Sequence, residues 1–200
     1  MVLRSLDTWH RAAGAVRHSL GSLLVTGGDE RIWLDPESGL DAYGCAPRVR
    51  DVVAFGSCTA SSPTESGLDA SRRDLERLRS IAATAGHEAM NTEAENMLEE
   101  TRTRLMQVLE LDQAGVRVAF CPSGTDAEYL ALSLARGTST APIVNIISAP
   151  GEVGGGTTKA AAGTYFSPAV PAGGEHEVGT DVDTSLAVGV CIRTIAVRTA

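Results

Sequence analysis

The sequence has few aromatic residues, a single lysine and no long apolar run. Aromatic residues make up 4% of the 200 residues, and no stretch reaches the roughly 20 apolar residues that a membrane-spanning helix needs. Acidic residues outnumber basic ones by 25 to 17, which leaves a formal net charge of −8. Nucleic-acid and anionic-membrane partners favour a basic surface, so the sequence argues against both. Asp7, His10 and Arg11 interrupt the basic-then-apolar order of a secretory signal, and we expect a cytoplasmic protein.

The residue types that bind metals are present without the spacing that a metal site requires. The four cysteines are widely separated, and none forms a C-x-x-C pair: Cys45, Cys58, Cys121 and Cys191. The four histidines are equally scattered: His10, His18, His87 and His176. The sequence therefore predicts neither a metal site nor a dithiol redox motif.

The remaining composition is that of a soluble globular protein. Hydrophobic residues make up 43% of the chain and charged residues 21%, which is typical of chains that fold. Apolar periodicity predicts amphipathic helices over residues 3–20 and 67–85, the second of which ends at Gly86. The capping-box pattern Thr92-x-x-Glu95 predicts the start of a further helix.

Short β-branched segments predict strands over residues 31–35, 116–120, 143–148 and 191–198. A helix over residues 126–136 is predicted between the second and third of these strands. Strand, helix and strand in that order predict a βαβ unit with a parallel sheet. Ligands of such sheets bind at the carboxyl ends of the strands. The segments that follow the second and third strands are therefore the first places to look for a site.

The sequence Ser123-Gly124-Thr125 follows the second predicted strand and opens the predicted helix. The first amides of a helix have no partner within the helix, and they favour an anion. Glycine lets a phosphate approach the backbone, and the two hydroxyls add further donors. The sequence therefore predicts an anion pocket. The same residues also suit an ordinary helix N-cap, and the sequence alone leaves both interpretations open.

This strand–Ser-Gly-Thr–helix element resembles the cofactor-phosphate site of fold-type I pyridoxal 5′-phosphate (PLP) enzymes, the aspartate aminotransferase superfamily. Residues 41–48 and 55–61 are similar to the active-site access loops of some members. The resemblance implies an α/β chain in which residues 1–60 form an N-terminal helical and irregular segment with the access loop. Residues 61–200 would then be the first, incomplete part of a PLP-transferase-like large domain with a mostly parallel sheet.

On this resemblance, Ser123, Gly124 and Thr125 bind the phosphate of PLP, and Glu152 contacts the cofactor or the substrate. A solvated loop carboxylate is the competing interpretation of Glu152. Many family members place an aromatic residue near the end of the next strand, and this sequence has none there. The Schiff-base lysine is expected beyond Ala200, and Lys159 is expected to be a surface lysine.

The resemblance implies a transferase or lyase that uses aldimine and carbanion chemistry on an amino-acid-like substrate. Such active sites form between chains, so a homo-oligomer or a complementing chain is expected, and this chain alone is expected to be inactive. One alternative is a non-catalytic or split-enzyme fragment without the Schiff-base lysine. The other is an S-adenosylmethionine-binding Rossmann-like domain, because the residues 151–156 form a glycine-rich loop after a strand. That loop does not match the dinucleotide fingerprint, since Lys159 stands where the third glycine is required.

Overall fold

The computed structural model describes residues 18–26, 30–53, 61–111, 115–170 and 174–197. The chain forms two compact units. The first comprises Met1–Thr26 and Trp33–Phe120, and the second comprises Gly27–Ile32 and Cys121–Ala200. Whether residues 1–60 and 61–200 are separate domains stays a prediction. In the described part of the chain, no helix is both long and apolar enough to cross a membrane.

The first unit is built on the helix α2, Glu65–Val108, which follows the short helix α1, Leu20–Leu23. Thr64 caps α2, and Gly86 interrupts it with a φ of 86° and a ψ of 176°. An ion pair joins Arg77 to Glu93 across this break. In a straight helix those two residues would lie about 24 Å apart, at 1.5 Å per residue. The two limbs of α2 therefore fold back on each other, with one buried set of side chains: Leu68, Leu75 and Met90.

The predicted end of a helix at Gly86 is confirmed, whereas the predicted helix start at Thr92 is wrong. Thr92 lies inside α2, and its hydroxyl donates to the Glu88 carbonyl, 3.1 Å away. No helix-breaking residue follows Gly86 before Thr92, so the second limb continues directly from the break. Most of the predicted helix over residues 3–20 lies outside the described residues.

Two of the predicted strands are wrong. Residues 31–35 overlap the 3-10 helix Glu30–Ile32 and lead into a turn in which the Asp35 carboxylate accepts the amide of Ser38 at 2.8 Å. Residues 116–120 form no strand. Instead, Arg102 Nε donates to the Val118 carbonyl at 2.8 Å, so a side chain and not a neighbouring strand contacts this backbone. The predicted βαβ unit is therefore also wrong, because its first strand is absent.

The second unit contains a parallel pair of strands, β1 (Ile143–Ser148) and β2 (Val190–Ile195), which pair from Ile143 opposite Val190 to Ser148 opposite Ile195. β1 confirms the strand predicted over residues 143–148, and β2 confirms a strand within the range predicted over residues 191–198, although it begins at Val190 and ends at Ile195. The sequence predicts a parallel partner for residues 143–148 at residues 116–120, whereas the partner in the structure is β2. The connection between them contains two short helices, α4 (Thr157–Ala161) and α5 (Thr184–Ala187). Helices with a parallel sheet are consistent with an α/β chain, and the PLP-transferase-like fold stays a prediction.

The helix α3, Gly124–Arg136, precedes β1 and confirms the helix predicted over residues 126–136. The core of the unit lies between α3, α4 and the sheet, and it contains buried apolar residues from each: Leu132, Ile147, Ala160 and Ala161. Asn145 ties the sheet to α4, since its side-chain amide donates to the Ala161 carbonyl at 3.1 Å. The other face of β1 is open, with Val144 and Ile146 each 59% exposed.

Arg136 fixes the carboxyl end of α3 to the amino ends of both strands. The residue is 7% exposed, and its guanidinium donates to the carbonyls of Ala141 at 2.6 Å and Leu186 at 3.3 Å, and also to that of Val188. A cation at this end of a helix also complements the helix dipole. The predicted anion pocket lies at the other end of α3. The hydrogen bonds of Arg136 therefore help to set the position of that pocket relative to the sheet.

Candidate functional site

The amino end of α3 begins at Ser123, which is an N-cap in the structure. Ser123 is extended, with a φ of −148°, and its hydroxyl accepts the Asp126 amide at 3.1 Å. The same hydroxyl donates to the Asp126 carboxylate at 2.6 Å. The N-cap interpretation is therefore confirmed, and the Ser123 hydroxyl is used within the protein.

Gly124 and Thr125 occupy the first two helical positions, where amides have no carbonyl partner within the helix. Neither amide donates to another described residue. Thr125 is 7% exposed, and its hydroxyl forms no hydrogen bond within the part of the chain that the structure describes. These two residues keep donors that the cap does not use.

The loop that leaves the carboxyl end of β1 lies against this helix end. A Cβ atom placed on Gly154 would lie 3.4 Å from the Thr125 hydroxyl oxygen and 3.4 Å from that of Thr157. The turn begins at Ala149, which has a φ of 48° and donates its amide to the Ile195 carbonyl at 2.8 Å. The structure thus brings together two segments that the sequence placed separately at strand ends, although the strand predicted before Ser123 is absent.

Phe166 supports the glycine loop from behind. A Cβ atom on Gly156 would lie only 2.7 Å from Phe166 Cδ2, so the backbone passes directly against the ring. Tyr129 on α3 stacks on Phe166 with ring centroids 6.1 Å apart, and the Arg31 guanidinium lies 5.7 Å from the centroid of the same ring. An aromatic residue is therefore packed against the loop, although it comes from further along the chain than the strand end at which the family pattern places one.

Tyr129 is held in place by its phenol as well as by its ring. The hydroxyl donates to the Thr164 carbonyl at 2.8 Å. Burial raises the pKa of Tyr129 to about 12, because a phenolate loses more hydration than a phenol when it is buried. The phenol is thus neutral at physiological pH and acts as a hydrogen-bond donor that links α3 to the residues after α4.

Glu152 and Lys159 lie in the same region and are both exposed. Glu152 is in the turn after β1, where its amide donates to the Ala149 carbonyl at 2.8 Å. Lys159 is on α4, and its carbonyl accepts from the amide and the hydroxyl of Thr164, each at 3.0 Å. The exposure of Lys159 agrees with the expectation of a surface lysine. The role predicted for Glu152 stays a prediction.

The charge around the helix end is mixed. The helix amides favour an anion, whereas the Asp126 carboxylate, in the first turn of α3, repels one. Within the described ranges, no group of three or more histidine, cysteine or acidic side chains is arranged to hold a metal ion. The helix end therefore offers backbone and hydroxyl donors to an anion, while the nearby Asp126 carboxylate opposes one.

The first unit has a separate concavity along the limbs of α2. This open groove has a volume of about 610 Å³. Its lining is mostly charged and of both signs: Arg77, Glu93, Asn96, Glu99, Glu100, Thr103 and Arg104. The Arg77–Glu93 ion pair already neutralises part of this charge, and the lining favours no particular class of ligand.

No protein-family profile, curated protein or solved structure matches this chain.

Proposed function

We propose that the chain binds the phosphate group of PLP at the amino end of α3 and belongs to a PLP-dependent transferase or lyase. One observation carries the proposal: the Gly124 and Thr125 amides begin a 13-residue helix opposite the glycine loop that leaves β1. A helix amino end next to a flexible glycine backbone is a common way to hold a phosphate. The substrate would be a small amino-acid-like molecule.

The residues present fit the phosphate part of the cofactor. Gly124 and Thr125 would supply backbone donors, and Thr125 would add a hydroxyl that makes no hydrogen bond to another described residue. Ser123 holds the turn in shape through its bond to the Asp126 amide. When bound, PLP supplies an electron-withdrawing ring that stabilises a carbanion beside an amino group. The contribution of this segment is to bind and orient the cofactor.

The test uses three probes with the 200-residue chain: PLP, pyridoxamine 5′-phosphate and pyridoxal, which lacks the phosphate. Pyridoxamine 5′-phosphate is needed because it carries no aldehyde and so cannot react nonspecifically with Lys159 or the terminal amine. We expect both phosphorylated probes to bind about tenfold more tightly than pyridoxal, a difference of about 1.4 kcal/mol. Equal affinity for all three probes, measured by equilibrium dialysis, refutes the phosphate site.

A substitution at Gly124 tests the location of the site. A Cβ atom there meets nothing within 4 Å, so Gly124→Ala is compatible with folding while its methyl group obstructs the first helical position. We expect about tenfold weaker binding of the phosphorylated probes. Gly21→Ala is the matched control, because Gly21 is also helical and its Cβ position is also open. An unchanged affinity of Gly124→Ala contradicts the proposed location.

Asp126→Asn should strengthen the binding of the phosphorylated probes, whereas Gly124→Ala should weaken it. Removing one negative charge near the helix end lowers the repulsion of a phosphate by about 1 kcal/mol, which corresponds to roughly fivefold tighter binding. The affinity for pyridoxal should not change. Stabilisation of the chain by S-adenosylmethionine, without any response to PLP, would instead favour the Rossmann-like alternative.

A further inference from the structure

The second limb of α2 carries a row of exposed leucine side chains. Leu98 is 53% exposed, Leu105 37% and Leu109 59%. Their spacings of seven and four residues place them within about 40° of one another round the helix, at 3.6 residues per turn. Leu109 is the C-cap of α2, and its amide still donates to the Leu105 carbonyl at 2.9 Å. These three residues, called the leucine face below, form an apolar row on one side of the limb.

The leucine face differs from the buried face of the same limb. Met90 belongs to the buried set of side chains in the first unit and is 2% exposed. Leu98 follows Met90 by eight residues, which is a rotation of about 80° at 3.6 residues per turn. The second limb therefore has one buried apolar face and, about a quarter turn away, one exposed apolar face. Two such faces are typical of a helix in a bundle, where each helix packs against more than one neighbour.

Arg102, four residues after Leu98, lies on the same side of the limb, but its charge is engaged within the chain. Its Nε donates to the Val118 carbonyl at 2.8 Å, and its guanidinium also pairs with Glu99. The guanidinium lies 5.4 Å from the centroid of the Phe120 ring, and Phe120 is itself exposed. The leucine face is therefore extended by an aromatic ring and is not interrupted by an unpaired cation.

The charges along the second limb indicate what covers the leucine face. An exposed apolar row of this kind marks a surface where another molecule binds. Residues 87–100 contain five glutamates and no lysine or arginine, whereas residues 101–108 contain two arginines and no acidic residue. Two copies of the limb side by side in parallel would place acidic next to acidic. In the antiparallel orientation, the acidic part of each copy lies beside the basic end of the other, so the limb is complementary to itself.

We propose that the leucine face is a dimer interface, at which the second limb of α2 pairs antiparallel with the same limb of a second copy of the chain. A two-fold axis between residues 101 and 102 sets Leu98 of each copy against Leu105 of the other. The two folded-back helices then form a four-helix arrangement with a shared apolar seam. The inference goes beyond the proposed function and does not depend on it, because none of its residues belongs to the proposed phosphate site.

Sedimentation equilibrium of the 200-residue chain tests the interface. We expect wild type to dimerise, and we expect Leu98→Glu to raise the dissociation constant of the dimer about a hundredfold, because each dimer exchanges two buried leucines for carboxylates. Leu134→Glu is the matched control, since Leu134 is a more exposed leucine on another helix, α3. The control should dimerise like wild type. The helical circular dichroism of both variants should also match that of wild type.

Three double variants test the orientation of the pair. Leu98→Glu with Leu105→Glu places like charges at the seam, and so does Leu98→Lys with Leu105→Lys, so both should be monomeric. Leu98→Glu with Leu105→Lys sets each new carboxylate opposite a new ammonium of the second copy only when the limbs are antiparallel. We expect this variant to dimerise at least about tenfold more tightly than either of the other two. Comparison with both like-charge variants removes the effect of net charge, and equal association of all three contradicts the antiparallel pair.

Other results overturn the interface itself. A wild type that stays monomeric up to about 100 μM has no functional seam on this face. A wild-type dimer that Leu98→Glu does not weaken uses a different surface. Loss of helicity in Leu98→Glu would show that this leucine supports the fold of a single chain and not a contact between chains. None of these results bears on phosphate binding, so the interface and the proposed function fail independently.

Discussion

Replacing the buried Arg136 should cost the second unit a large part of its stability. The guanidinium donates to the three carbonyls of Ala141, Leu186 and Val188, and no carboxylate in the described residues forms an ion pair with it. A hydrogen bond from a charged donor contributes about 1.5–3 kcal/mol. Burial of an unpaired charge offsets part of that total, and so does the unpaired Nε atom.

Arg136→Met keeps a long unbranched side chain and removes all three hydrogen bonds. After the two offsets, we expect the free energy of unfolding to fall by about 2–4 kcal/mol. At about 2–4 °C per kcal/mol for a chain of this length, the melting temperature should fall by about 4–16 °C. Arg136→Lys should lie between Arg136→Met and wild type, because an ammonium cannot reproduce the planar fork of a guanidinium.

The measurement is urea or thermal denaturation followed by circular dichroism. Arg193→Met is the control, because Arg193 lies on β2 and is exposed, and exposed substitutions usually change stability by less than about 0.5 kcal/mol. If Arg136→Met unfolds at the same urea concentration as Arg193→Met, the three hydrogen bonds do not stabilise the unit and the reasoning fails.

Two further substitutions test the packing around the loop. Gly156→Ala places a methyl 2.7 Å from the Phe166 ring and should lower the free energy of unfolding by about 1–3 kcal/mol; a wild-type urea midpoint would contradict the close approach. The pKa of Tyr129 is raised to about 12, so its contribution is complete below the unfolded value of about 10 and is lost as the pH rises towards 12. The stability difference between wild type and Tyr129→Phe should therefore be constant up to about pH 9 and shrink as the pH rises from about 10 towards 12, and a difference that does not change with pH would argue against a partly buried phenol.

Apolar pattern and helix punctuation predicted the elements that depend on local sequence. The strand over residues 143–148 is found with the predicted bounds, and Gly86 breaks a helix as expected, since its φ of 86° suits glycine. Residues 116–120 contain Val116, Val118 and Phe120, which also favour a strand, but they form none. Strand formation depends on a neighbouring strand and on burial, and here Arg102 contacts that backbone instead. Local sequence does not determine whether such a backbone segment pairs with a strand or with a side chain.

In the candidate site, too, the local features were predictable from sequence and the contacts between elements were not. The position of residues 123–125 at a helix start was predictable, because serine, glycine and an acidic third residue are local signals. The approach of Gly154 to Thr125 and of Phe166 to Gly156 was not, since both contacts join residues from different elements. Gly154, Gly155 and Gly156 look equivalent in sequence, and only the structure shows that a Cβ atom would contact two hydroxyls at the first, meet nothing at the second and clash with Phe166 at the third.

The polar groups at the start of α3 fall into two pairs. One pair caps the helix, and the other has donors that the cap does not use. Ser123 and Asp126 satisfy the third-position amide, so they stabilise the helix whether or not a ligand binds. The amides of Gly124 and Thr125 donate to no other described residue, and the Thr125 hydroxyl lies next to Gly154 of the glycine loop. An ordinary N-cap accounts for the first pair, and the Thr125 hydroxyl makes no hydrogen bond to another described residue but is not sealed from solvent. The proposed phosphate site would use the second pair of donors, while the cap would hold the turn in shape whether or not a ligand binds.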